Sequence, residues 1–110
     1  MLVNNQTIFY SGDEMVEVLK EIEYILVSLH KVGSHYAETL PDSYIEYADE
    51  TTKFIDDNNI CERLARIRRI LSSKFDNGLG EDDMDDLERA FESLEYWKPK
   101  KKQNLSSKIK

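Results

Sequence analysis

Residues 11–31, SGDEMVEVLKEIEYILVSLHK, constrain the fold more than any other stretch of the chain. Met15, Val18, Leu19, Ile22, Leu26 and Leu29 recur at helical spacing and make one apolar stripe. In the second half Tyr24, Ile25, Leu26 and Val27 are apolar nearly all the way round, which predicts a helix covered on several sides. Ser11 and Glu14 have the S-x-x-E spacing of a capping box and set its start. Gly33 is the expected stop, since glycine takes the left-handed conformation at no steric cost.

Three further helices follow from the same argument. Pro41 suits the first turn of a second helix running to about Asp57, with Ile45, Ala48, Thr52 and Ile55 as its inner face and Tyr44 on the flank. Glu46, Glu50, Lys53 and Asp57 fall on its outer side, and Tyr47 and Phe54 lie beside that acidic side. Asn58 or Asn59 can cap a third helix, whose stripe is Ile60, Leu64, Ile67 and Leu71, with Ile70 and Phe75 adding to it. Asn77, Gly78 and Gly80 end it. A fourth is expected from Glu81 to Trp97, with Met84, Leu87, Phe91 and Leu94 on one stripe and five acids among residues 81–86 at its dipole-favoured start. Residues 1–10 read as a short extended arm over the core. The expectation is all-α: a single antiparallel bundle of four helices, or five counting a turn near residues 35–40. It spans residues 1–97, with a disordered lysine-rich tail over 98–110. Such a bundle requires Leu26, Ile67 and Phe91 to share one interior.

Charge is the strongest compositional signal. Residues 1–97 hold all 22 acids against nine basic residues, a net −13, and six lysines give the tail +6, for −7 in total. A body this acidic repels nucleic acid and attracts basic partners, so nucleic-acid contact is expected only through the tail. Four arginines, Arg63, Arg66, Arg68 and Arg69, form the one basic cluster of the body and are expected to pair with acids on neighbouring helices. The start of the chain does not read as a signal peptide, no apolar run approaches the ~20 residues of a membrane span, and the lone Cys61 forms no internal disulfide; the expected setting is the cytoplasm.

Arrangements that carry chemistry are not found. His30 and His35 are spaced i, i+5 across the expected helix end, which is not a ligand pair. Residues 76–83 are rich in oxygen ligands but lack the order of a calcium loop. No glycine-rich phosphate loop occurs. The chain is similar in size and architecture to histidine phosphotransfer domains, whose phospho-accepting histidine precedes lysine at +3 and glycine at +4. Here His30 is followed by Lys31, Val32 and Gly33, so neither position fits. No catalytic, cofactor or metal residue is assigned.

What remains is binding. Glu46, Glu50 and Asp57 with Tyr47 and Phe54 offer carboxylates around aromatic anchors, and Asp82, Asp83 and Asp86 form a second acidic patch. The run Glu14-Met-Val-Glu-Val-Leu-Lys20-Glu-Ile-Glu23 resembles the E-x-E-F-x-x-L-L-K-E-I-E run opening helix 1 of the colicin-nuclease immunity family. The chain is longer than those proteins and lacks their short third helix ending in Tyr-Tyr-Pro. Immunity proteins of contact-dependent growth inhibition, some of them helical, fit as a class. The resemblance implies a non-catalytic inhibitor, neutralising a basic nuclease toxin by occlusion and charge complementarity, as a monomer or weak homodimer. The other reading is a phage- or plasmid-type regulatory or adaptor bundle whose basic tail contacts nucleic acid.

Overall fold

The computed structural model describes residues 1–100. Their secondary structure is helical, with no strand among the described residues. A 3-10 turn at Val3–Asn5 precedes α1 (Gly12–Tyr36), a second at Ala37–Thr39 follows it, and then come α2 (Tyr44–Asp57), α3 (Ile60–Ser72) and α4 (Asp86–Phe91). The expected lysine-rich tail falls largely outside the described residues, in 101–110. No helix among the described residues is long and apolar enough to cross a membrane.

α1 starts as its capping box dictates. The Ser11 side chain accepts from the Glu14 N–H, and the Glu14 carboxylate accepts from the Ser11 N–H. Gly33 does not stop it; the helix runs on to Tyr36, and no glycine takes a positive φ. At 25 residues it is about 37 Å long. α2 has 14 residues and α3 has 13, so together they match α1 in length.

Their contacts show how that length is used. Tyr36 of α1 meets Tyr47 of α2 with ring centroids 6.2 Å apart, and Tyr24 meets Phe54 at 5.8 Å. Farther down, Glu21 pairs with Arg63 of α3 at 2.9 Å, Glu17 with Arg66, and Glu14 with Lys74 just beyond α3 at 3.6 Å. As numbers fall along α1 they rise through α2 and then α3. The fold is therefore a helical hairpin whose returning arm is broken in two: α2 covers the C-terminal half of α1 and α3 the N-terminal half. The break is at Asn59, the residue preceding α3, which sits in the left-handed region at φ 53. Asn59 makes no side-chain cap bond. Asn58 instead locks the corner, donating to the Phe54 carbonyl and accepting from the Tyr24 hydroxyl. The Arg63 guanidinium lies over the Tyr24 ring, 4.6 Å from its centre.

A four-helix interior does not form. The buried apolar residues are Val18, Ile25, Ile60 and Ile67, all on the facing sides of α1 and α3. Leu26 is 63% exposed and Phe91 44% exposed, so Ile67 does not share an interior with them. The expected fourth helix shrinks to the six residues of α4, too short to roof the hairpin. The inner face of α2 also differs from expectation. Tyr47, Ala48, Thr51, Phe54, Ile55 and Asn58 are the partly covered residues, while Thr52 is exposed and Ile45 is 78% exposed. Pro41 lies in the turn before α2, its carbonyl accepting from the Tyr44 N–H.

The N-terminal arm does lie over the body, though not fully extended. The Tyr10 hydroxyl donates to the Leu71 carbonyl at the end of α3. Tyr10 also lines a shallow apolar pocket with Leu64, Ile67, Leu71, Phe75 and Leu87, which brings α4 against α3.

Candidate partner-binding surfaces

The outward side of α2 carries Glu46, Asp49, Glu50, Asp56 and Asp57, all exposed. One cation, Lys53, sits among them and bonds Asp49 at 3.1 Å, which raises the lysine pKa. Helix geometry dictates the array: the partly covered residues point toward α1 and leave the carboxylates exposed, Asp49 beside Lys53 and Glu50 at the rim of a shallow pocket shared with Lys31 and His35 of α1. Glu46, Glu50 and Asp57 thus stand where the sequence puts them.

Tyr47 and Phe54 do not join them. Both are half-buried, their rings turned onto Tyr36 and Tyr24, so they fasten α2 to α1 and are not free anchors. The exposed aromatic of this helix is Tyr44, whose ring centroid is 6.2 Å from that of Tyr47.

The second acidic patch divides. Asp83 is exposed, with φ 60. Asp82 accepts a fork from Arg89, Nε to one carboxylate oxygen and Nη2 to the other, both at 2.7 Å. Asp86 is buried and unavailable to a partner, a correction to its expected surface role. Its Oδ2 accepts from the Asn5 side chain at 2.7 Å and the Leu2 N–H at 2.8 Å, and its Oδ1 from Arg89 Nη1 at 2.9 Å. Arg89 also donates to the Met84 carbonyl. A Cβ at Gly80 would lie 2.6 Å from Arg89 Nη2, so glycine is what lets the guanidinium sit there. This cluster is a clasp joining the N-terminus, the 76–85 loop and α4. Asn5 does not stand out in the sequence, because its partners Asp76 and Asp86 are 71 and 81 positions away.

The α3 arginines behave as expected in part. Arg63 and Arg66 pair with Glu21 and Glu17 of α1, while Arg68 and Arg69 are exposed. Within residues 76–83 the carboxylates diverge: Asp76 binds the Asn4 side chain and the Gly78 N–H, and Asp82 turns to Arg89.

Four carboxyls are held below their ordinary values. The Ser11 N–H lowers Glu14, the Asn4 side chain lowers Asp76, the Arg89 guanidinium lowers Asp82, and the Asn5 side chain followed by the Leu2 N–H lowers Asp86. A depressed carboxyl binds its proton more readily in the unfolded chain. Its stabilisation is complete above the ordinary carboxylate range and vanishes as the pH drops toward the folded-state value. The melting temperature should therefore hold from neutrality to about pH 5 and fall between about pH 5 and pH 2. Circular dichroism melts across that range check it, and Asp82→Asn should make the acid-side fall shallower.

The chain matches no family model, and no curated protein or solved structure matches it.

Proposed function

We propose that the chain is a non-catalytic inhibitory binding protein: an immunity protein of the cytoplasm that neutralises a basic nuclease toxin. The reading is carried by the outward side of α2, where five exposed carboxylates face a single lysine already engaged by Asp49. A row of carboxylates along a helix imitates spaced phosphates. It can fill the cationic cleft of a nuclease, and its field speeds encounter with a positive surface. Two of the four α3 arginines, Arg63 and Arg66, are held by acids of α1 and do not reach this side. Exposed Tyr44 at the start of the same helix supplies an aromatic contact, the role that Tyr47 and Phe54 give up to the hairpin.

The test is protection. Co-expression with the basic nuclease domain it is proposed to neutralise should restore growth, with one chain bound per toxin domain. Glu46→Lys combined with Glu50→Lys should slow association by about tenfold or more and flatten its salt dependence. Full protection by the double variant, with unchanged association, would remove α2 from the interface.

A further inference from the structure

The hairpin has two unlike sides. On a helical projection Glu17 and Glu21 of α1 and their partners Arg66 and Arg63 of α3 mark one side. The opposite side carries Met15, Leu19, Ile22, Leu26 and Leu29 of α1, joined by Leu64 of α3. These α1 residues are spaced 4-3-4-3, the strict seam of a coiled coil, and Gly33 extends it by another step of four. The residues that α1 buries against its own return arm, Val18 and Ile25, form a separate row seven apart. Most of the seam is therefore left uncovered by the described residues. Leu19 is 61% exposed and Leu64, Ile22 and Leu29 are exposed with it.

We propose that this side is the interface of a homodimer, in which a second copy supplies the layer that the expected fourth helix does not. Two observations select a copy of this chain as the occupant. A 3.5-residue seam is matched by another helix with the same repeat, and a second copy brings one. The exposed apolar side chains amount to on the order of 500 Å² per chain, at the upper end of what monomers leave contiguous, and pairing two such faces reaches the roughly 1,000 Å² of a stable interface. Few charges flank the seam: Asp13, Glu14, Glu17, Glu21, Lys31 and His35 fall on the other side of α1, and Glu23 is the one acid of this helix beside it. The acidic side of α2 points away from the seam and stays open in such a dimer, so the inference goes beyond the proposed function and does not rest on it.

Light scattering and sedimentation of the full chain, from micromolar to millimolar, should give about 26 kDa, twice the 12.9 kDa of one chain. Leu19→Glu with Leu26→Glu should leave only the single-chain mass at unchanged helicity, both positions being exposed in one copy. In a Cys61→Ser background, thiol labelling of Leu26→Cys should slow by about tenfold or more as protein concentration rises through the dimer range. A single-chain mass throughout would overturn the proposal. So would a dimer that survives the double glutamate variant, or labelling that ignores concentration.

Discussion

Asn5→Ala is expected to lower the melting temperature by about 10–20 °C, a loss of about 2–4 kcal/mol. Asn5 is buried near the N-terminus and works in two directions. Its Nδ2 donates to the Asp86 carboxylate at 2.7 Å and to the Asp76 carbonyl at 3.0 Å, while its Oδ1 accepts from the Asp76 N–H at 2.7 Å. Alanine removes all three bonds and leaves Asp86 and the Asp76 backbone short of partners in a place water reaches poorly. Asn4→Ala is the control. Asn4 is exposed, makes one bond to Asp76 and should cost below about 1 kcal/mol. Thermal melts of the two variants decide it; an Asn5→Ala protein melting within about 2 °C of the parent would show that the clasp does not hold the arm.

Ile67→Ala is expected to cost about 2–4 kcal/mol. It is one of four buried apolar residues, facing α1 where no second layer compensates for a void. Set against the ~5–15 kcal/mol of a typical domain, that is a large share of a thin core. Leu26→Ala gives the contrast. A side chain of the same size is cut back, yet at 63% exposure the loss in dilute solution should stay below about 1 kcal/mol. Denaturant titration of both variants measures the difference. Equal costs would mean that the interior lies elsewhere.

Local signals in this chain were legible and tertiary ones were not. The capping box at Ser11 and Glu14 needs only neighbouring residues, and it is present. The α3 stripe and its pairing with the acids of α1 follow from periodicity and charge, and both occur for Ile60, Ile67, Arg63 and Arg66. An apolar stripe says that a face seeks cover without saying what covers it. Leu19 and Leu26 therefore read as core beside Val18 and Ile25, although the 4-3 spacing of one row and the seven-residue spacing of the other were both on view. The overlong fourth helix has a local cause. Aspartates bind nearby backbone and compete with helix: Asp82 accepts from the Met84 N–H and Asp85 caps with Glu88, so α4 begins only at Asp86. The acidic side of α2 was readable as charge. That Asp86 faces inward was not, because its partner Asn5 is 81 positions away.

The broken return arm gives the long helix two kinds of fastening. Around its N-terminal half ion pairs from Glu14, Glu17 and Glu21 flank the buried apolar contact with α3; around its C-terminal half the contact is aromatic, Tyr24 tilted against Phe54 and Tyr36 edge-on to Tyr47. Dissolved electrolyte weakens the first kind and leaves the second almost untouched. Ionic strength therefore acts on this rod like a hand on one end only, easing the charged pairs along α3 and leaving the apolar contact beneath them and the rings of α2 in place.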